Sequence, residues 1–194
     1  MKTIASLIAV VAIIAIAAVA ACSKDAEKGA TKTQPPAGGT AAPVSPEPSE
    51  PAPAATAEAL FAEYEAIRVQ LANDTGEGVA ARAAKTSSIA AELAGTADDA
   101  AKLHWTAAAE AATKLAAVDA GDLAALRLGF GELSRTLVEL LESDAALAAN
   151  YHMFECPMAE GYKRWIQPTA ELENPYMGQK MLTCGAAVAV QPTP

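Results

Sequence analysis

Large apolar residues recur every three or four positions between residues 57 and 149, and this spacing constrains the fold more than any other feature. In the first stretch, Leu60, Tyr64, Ile67 and Leu71 form one such series. Since an α-helix turns once every 3.6 residues, side chains at this spacing lie along one face. The pattern predicts four helices, over residues 57–73, 77–93, 97–118 and 123–149.

Short turns separate these helices, which favours antiparallel neighbours. Turn formers follow Asn73, Gly95 is expected just beyond the second helix, and Thr96 is expected to cap the third. No segment shows the alternation typical of a strand. The predicted fold class is therefore all-α: an antiparallel four-helix bundle, with a C-terminal Cys/Met-rich irregular segment and a short helix packed on one end. The predicted core comprises Leu60, Tyr64, Ile67, Leu71, Leu93, Phe130, Leu133, Leu137 and Leu141, and Leu103 marks the buried side of the third helix.

The N-terminal segment has the features of an export signal. An uncharged run from Thr3 to Cys22 follows Lys2, and it ends in Val19-Ala20-Ala21-Cys22. This ending resembles a bacterial lipobox, which implies cleavage before Cys22 and lipidation of that cysteine with diacylglycerol and palmitate. Residues 1–21 are then a lipoprotein signal peptide, and the alternative is an uncleaved membrane anchor. Ser23 favours the outer membrane under the sorting rule of enteric lipoproteins.

Composition divides the rest of the chain. Residues 23–55 contain seven prolines and almost no large aliphatic residue, so residues 22–56 are predicted to be a disordered tether behind the lipid anchor. The helical domain is expected over 57–186 and a disordered tail over 187–194. The formal charge of −9 argues against nucleic acid as a partner.

Sulfur is concentrated near the C-terminus. Residues 151–185 hold four of the five methionines and both cysteines that follow Cys22. Thiolates and thioethers are soft ligands that select Cu(I). A helix is expected from Pro175 to Cys184, with Asn174 as its N-cap, and it would place three sulfurs on one face. The candidate metal ligands are Cys156, Met158, Met177, Met181, Cys184 and His152.

Two other interpretations stay open at this point. Methionines four residues apart on a helix are often core filler. In an oxidising compartment Cys156 and Cys184 are candidates for a disulfide, which would close a loop of about 29 residues and stabilise the fold by roughly 3.6 kcal/mol. The residues alone slightly favour this bridge. His104, a lone histidine on a helix, is more often a surface or core-edge residue than a ligand, and Trp105 is expected at a bundle edge.

Two motifs also carry a family resemblance. CPMA (156–159) and NPYMGQKMLTCG (174–185), with Trp165 between them, resemble a bacterial domain of unknown function. That domain is found alone in exported proteins and fused to periplasmic adaptor subunits of heavy-metal efflux systems. The resemblance implies a helical, periplasm-facing domain associated with copper, an efflux adaptor as a partner, and the same sulfur residues as ligands.

Three functions are compatible with these features. The first is an envelope lipoprotein that binds Cu(I). The second is a disulfide-stapled structural or interaction module that docks an efflux or envelope partner and binds no metal. A thiol enzyme is the weakest, because there is no C-x-x-C motif and no basic residue beside either cysteine to lower its pKa. The chain is therefore expected not to be an enzyme.

Overall fold

The structure is a computed structural model, and it describes residues 55–190. The predicted signal peptide, most of the tether including Cys22, and residues 191–194 lie outside this range. The described chain is mostly helical, as predicted, and none of its helices is both long and apolar enough to cross a membrane. The helices are α1 (Ala57–Ala72), α2 (Val79–Thr96), α3 (Asp99–Ala116), α4 (Leu123–Ser143) and the short α5 (Ala145–Ala148).

Side-chain caps set the starts of three of the four long helices. Thr56, Asp98 and Asp122 accept backbone hydrogen bonds at the starts of α1, α3 and α4, which satisfies donors that have no partner within the helix. The predicted roles of Gly95 and Thr96 are wrong, since both residues belong to the last turn of α2. The cap of α3 comes two residues later because Asp98 supplies the acceptor.

The predicted fourth helix is interrupted near its end. Asp144 has an extended backbone, ends α4 and caps α5, so the predicted helix 123–149 becomes two helices. Its side chain accepts hydrogen bonds from Ala146 N and Leu147 N, both at 3.0 Å. Asp competes for backbone donors in this way, which explains why it interrupts a helical pattern.

The helical core follows the predicted stripes closely. Each long helix packs on the next, and α1 also packs on α4. Eight of the nine predicted core residues are buried, and Leu93 is half-buried. Leu103 is a wrong prediction, because it is 73% exposed. The buried face of α3 passes instead through Trp105, Ala108, Ala112 and Leu115, and a residue two positions before Trp105 faces the opposite side of the helix.

A small three-stranded sheet follows the helices, so the described chain is mostly helical and the predicted all-α class is not confirmed. The strands are β1 (His152–Glu155), β2 (Arg164–Gln167) and β3 (Ala186–Val188), in the antiparallel order β2-β1-β3. Each strand has three or four residues, too few to show alternation in the sequence. The prediction of a tail beginning at residue 187 is corrected as well, because residues 187 and 188 pair with β1.

The predicted helix over 175–184 is also wrong. Only a single 3₁₀ turn forms, over Gly178–Met181. Gly178 has φ +59°, a left-handed conformation that ends an α-helical path. A Cβ atom at this position would clash with Asp74 Oδ1. The close approach of Asp74 therefore fixes a turn here, and Met177, Met181 and Cys184 do not share the face of one helix.

Five aromatic rings connect the sheet to the helices. Phe154 stacks on Trp165 with ring centroids 5.6 Å apart, and Trp165 meets the edge of Tyr176 at 5.8 Å. Tyr176 lies 5.9 Å from Phe130 of α4, which stacks at 4.9 Å on Tyr64 of α1. Aromatic contacts of this kind add to the burial energy of the rings. This row of rings continues the helical core into the C-terminal segment.

Candidate functional site

The structure brings the two cysteines together. Cys156 Sγ lies 3.4 Å from Cys184 Sγ, and both residues are free thiols. The strand register explains the contact. Glu155 of β1 pairs with Ala186 of β3, so the residues just beyond this pair, Cys156 and Cys184, lie at the same end of the ladder. The two cysteines are 28 positions apart, and the chain between them passes through β2 and the 3₁₀ turn.

Cys156 is held in a hairpin between β1 and β2. Its backbone N–H donates to Lys163 O at 3.0 Å, and its carbonyl accepts from Ala159 N at 3.2 Å. The side chain has no exposed surface. Pro157 follows it and restricts the turn further. The Cys156 thiol is therefore fixed and inaccessible to solvent.

Cys184 is fixed through its backbone rather than its side chain. The side-chain amide of Asn174 donates to Cys184 O at 2.6 Å, and Cys184 N donates to Met181 O at 2.9 Å. The following residue, Gly185, has φ +139° and would clash with Glu155 O if it carried a Cβ. Glycine is thus required where the chain passes from Cys184 into β3. Cys184 itself is half-buried.

The environment of Cys184 favours its thiol form over the thiolate. The hydrogen bond with Cys156, the partial burial and the neighbouring Cys156 charge together raise the pKa of the Cys184 thiol. A catalytic thiol needs the opposite, since the thiolate is the reactive form and cationic neighbours stabilise it. A metal ion that bound Cys184 would first have to displace its proton.

Two of the predicted methionine ligands line the same cleft. Met158 and Met177 border a cavity of about 250 Å³, which we call the methionine cleft. Met158 is 58% exposed, and Leu128 beside it is 45% exposed. Neither cysteine is among the residues that line this cleft. The remaining lining residues are Ala124, Arg127, Glu160 and Tyr176.

No described contact joins the side chains of the other two candidate ligands, Met181 and His152, to the cysteine sulfurs. Met181 contacts Cys184 through its backbone, where its carbonyl accepts from Cys184 N at 2.9 Å. Met181 lies half-buried in the 3₁₀ turn, and His152 is exposed at the start of β1. Four residues of strand place His152 about 13 Å along β1 from Cys156, at roughly 3.3 Å per residue. An ion held by Cys156 is therefore too far from His152. Within residues 55–190, no three His, Cys, Asp or Glu side chains are grouped so that they could hold a metal ion.

His104 and Trp105 belong to α3 and line another cleft. They border a cleft of about 340 Å³ with Asp98 and Asp144. Trp105 is 7% exposed, so it belongs to the core more than to an edge. Asp98 and Asp144 already accept hydrogen bonds as helix caps.

Sequence reasoning missed two residues that hold this region together. The sequence predicts Asn174 only as a helix cap, yet it accepts from Tyr176 N and Met177 N and also donates to Cys184 O. The hydroxyl of Tyr176 donates to Arg164 O in β2 at 2.7 Å. Burial raises the pKa of Tyr176 well above its ordinary value, so it stays a neutral donor. The Asn-Pro pair was the available signal for this turn.

Comparison with known proteins adds no relative. The chain matches no protein-family model, no curated protein and no solved structure.

Proposed function

We propose that this chain is an envelope lipoprotein that binds Cu(I) through the thiolates of Cys156 and Cys184 and acts in copper or heavy-metal handling. The observation that carries the proposal is the 3.4 Å separation of the two sulfurs. Soft thiolates select Cu(I) over hard cations, and two of them side by side offer a ready ligand pair.

The distance between the sulfurs is close to what a shared ion requires. Two sulfurs each about 2.3 Å from a metal lie roughly 3.8 Å apart at a tetrahedral angle and about 4.6 Å apart in a linear arrangement. From 3.4 Å, binding requires a small opening of the pair. Cys184 is half-buried and next to a glycine, so it is the cysteine better placed to move.

Proton release gives the proposed site a pH dependence. The pKa of the Cys184 thiol is raised, first by its hydrogen bond with Cys156. Because only the thiolate binds the metal, protons compete with Cu(I) up to a higher pH than at an ordinary cysteine. We expect the Cu(I) affinity to fall as the pH drops.

The methionines have a secondary role in this proposal. Met158 and Met177 offer thioethers in the methionine cleft, where a soft ion would be held more weakly before it reaches the cysteines. Met181 is the remaining thioether candidate, next to Leu182, whose carbonyl accepts from Asn174 N at 2.7 Å. His152 is not included in the same site because of its separation along β1.

Several further parts of the proposal rest on sequence motifs. They are lipidation at Cys22, an outer-membrane location facing the periplasm, and a heavy-metal efflux adaptor as partner, all motivated by the lipobox and by the CPMA and NPYMGQKMLTCG segments. We also propose the up-down bundle for α1–α4, which is supported by the short connections and by the contact of α1 with α4.

A Cu(I) competition titration against a chromogenic chelator tests the binding. All proteins carry Cys22→Ser, so that only Cys156 and Cys184 are free thiols. The reduced parent should compete for Cu(I), and Cys156→Ala with Cys184→Ser should abolish tight binding. Met158→Leu with Met177→Leu should weaken binding less. If the cysteine variant binds as tightly as the parent while remaining folded, the proposed site is wrong.

The second candidate is a disulfide-stapled structural module. The same short distance favours it, since Cys156 and Cys184 are close enough to bridge after a small movement. Intact mass after alkylation of protein isolated from an oxidising compartment decides whether the bridge exists. If the bridge is present and neither the oxidised nor the reduced protein binds Cu(I), the structural function replaces the metal-binding one.

A further inference from the structure

The two thiols differ sharply in access, although their sulfurs are neighbours. Cys156 has no exposed surface, whereas Cys184 is half-buried and stands between the exposed residues Thr183 and Gly185. We propose that Cys184 is the thiol that exchanges with an external disulfide, and that Cys156 is the buried thiol that resolves the resulting mixed disulfide. This inference concerns thiol chemistry and does not depend on metal binding.

Backbone contacts keep the access unequal. Cys156 is held on both sides by the β1–β2 hairpin, through hydrogen bonds to Lys163 O and from Ala159 N. Cys184 is fixed through its backbone and not through its side chain, since Asn174 Nδ2 donates to its carbonyl oxygen. An attacking or attacked sulfur must be reachable by its partner. A bulky external disulfide can therefore contact the sulfur of Cys184 while the hairpin stays folded, and it cannot contact the buried sulfur of Cys156.

The short distance allows the second step. Cys156 Sγ lies 3.4 Å from Cys184 Sγ, and a disulfide requires about 2.05 Å. The sulfurs must therefore approach each other by roughly 1.4 Å. This is within the reach of a cysteine side-chain rotation at Cys184, which is next to Gly185.

The exchange is balanced with a disulfide as oxidant. The Cys184 thiol gives up its proton to solvent, and the resulting thiolate attacks one sulfur of the external disulfide, forms a mixed disulfide and releases one thiolate, which takes up a proton. The Cys156 thiolate then attacks Cys184 Sγ, and the bond to the external sulfur breaks and releases the second thiolate. The protein loses two protons and two electrons, and the external disulfide is reduced to two thiols.

The resolved product has a consequence for the neighbouring residues. The new bond closes the loop 156–184, which contains Met158, Tyr176 and Met177 of the methionine cleft. Both thiolates are consumed in this reaction. The two cysteines would then alternate between a reduced dithiol and an oxidised disulfide that closes the loop. In both directions the external thiol or disulfide would react at Cys184.

Reaction of the full chain with 5,5′-dithiobis(2-nitrobenzoate) tests the two roles. All proteins carry Cys22→Ser and are fully reduced at the start. Cys156→Ala keeps the accessible thiol alone, and Cys184→Ser keeps the buried thiol alone in a nearly isosteric setting. The rate of thiolate release is measured under native conditions and in denaturant, where burial no longer matters, and the products are identified by intact mass.

The expected results separate the two cysteines. Cys156→Ala should react readily and retain one stable mixed disulfide at position 184. Cys184→Ser should react at least about tenfold more slowly when native and equally fast in denaturant, because a buried thiol is unreactive. The Cys22→Ser parent should release two thiolates and retain no adduct.

Two results would overturn the assignment. One is native Cys184→Ser reacting as fast as native Cys156→Ala while circular dichroism shows both to be folded. The other is a parent protein that keeps an adduct instead of forming the bridge. Neither result bears on Cu(I) affinity, so failure here is distinguishable from failure of the proposed function.

Discussion

The helical region (residues 55–148) and the C-terminal region (residues 149–190) are held together by different kinds of contact. In the helical region each helix packs on its neighbour in the chain. In the C-terminal region, Arg68 of α1 donates to Glu173 O at 2.8 Å across 105 positions, and Gln179 donates to Ala72 O at 3.0 Å across 107 positions. A repeated apolar stripe distributes stability over many residues of the helical region, whereas the C-terminal region is also attached by individual hydrogen bonds between residues far apart in the sequence.

The difference in side-chain size follows the same division. Between α2 and α3 the buried face uses alanines such as Ala83, Ala90, Ala108 and Ala112, each of which buries little area. Trp165, Ile166 and Tyr176 fill the space around the sheet. Single substitutions should therefore be tolerated better among the helical alanines than among these large residues.

One tryptophan in each region allows the two to be observed separately. Trp105 belongs to α3 and Trp165 to β2, and both are buried. A Trp105→Phe background leaves Trp165 as the fluorescent reporter of the C-terminal region. A Trp165→Phe background leaves Trp105 to report on the helices.

The largest effect is expected where the two regions share a residue. Phe130 is fully buried and contacts both Tyr64 and Tyr176. Phe130→Ala should lower the free energy of unfolding by about 3–5 kcal/mol, because it leaves a cavity in the row of rings. Denaturant unfolding should show the loss with both reporters. A loss seen with Trp165 alone would mean that the helices do not depend on this contact.

A buried arginine and an exposed one give a matched pair. Arg68 is 2% exposed and bonds to Glu65 and Glu173, whereas Arg135 pairs with two exposed glutamates on α4. Arg68→Met should cost about 2 kcal/mol, since charged hydrogen bonds are lost. Arg135→Met should stay within about 0.5 kcal/mol. Chemical denaturation measures both, and equal losses would contradict the view that buried polar contacts hold the C-terminal region.

Two glycines should respond to alanine with opposite signs. Gly178→Ala should cost about 1–2 kcal/mol, because the residue has positive φ and a Cβ would clash with Asp74. Gly95 lies in α2, and a Cβ added there would meet no atom within 4 Å, so Gly95→Ala should stabilise by about 0.5–1 kcal/mol. Thermal unfolding followed with each reporter tests the signs. A neutral Gly178→Ala would show that the turn can shift away from Asp74.

The smallest effect is expected from acid. The hydrogen bond from Arg127 lowers the pKa of Asp74 below its ordinary value, and a second bond from Gln179 N adds to this. Because the folded-state pKa is depressed, this stabilisation is complete above the ordinary pKa of 3.8 and is lost as the pH falls through the folded value. Asp74 is 42% exposed, so solvent screens the pair and the effect is small.

The difference between wild type and Asp74→Asn isolates this group from the other carboxylates. Wild type should be more stable at about pH 5.5, and the difference should shrink as the pH falls below the ordinary pKa of 3.8 and through the lower folded-state pKa. The Trp165 reporter is expected to show the change more clearly than Trp105. A constant difference between the proteins across this range would rule out the titration of Asp74 as the cause.

The sequence alone determined the helical region well, because a helical period repeated over several turns leaves many agreeing residues. Leu60, Ile67 and Leu71 are buried as their spacing predicts, and so are Leu133, Leu137 and Leu141. The error at Leu103 arose where the stripe of α3 consists largely of alanine. There the buried and exposed faces differ little in hydrophobicity, so a single exposed leucine leads to a wrong prediction of the buried face.

Only the tertiary structure decided the C-terminal region. Strands of three or four residues carry no reliable period, and β-propensity depends on the neighbouring strands. The aromatic and β-branched residues Phe154, Trp165 and Ile166 were the signal that could have indicated them. The turn at Gly178 likewise depends on Asp74, which lies about a hundred positions earlier.

The candidate site was likewise determined in part by the sequence and in part by the tertiary structure. The sequence identified Cys156 and Cys184 as residues with chemistry, from their type and from the export signal that the sequence predicts. Their 3.4 Å contact and their unequal burial come from the tertiary structure, in which β1 pairs with β3. Distances between residues 28 positions apart are set by the strands and turns that join them, and no local pattern encodes those distances.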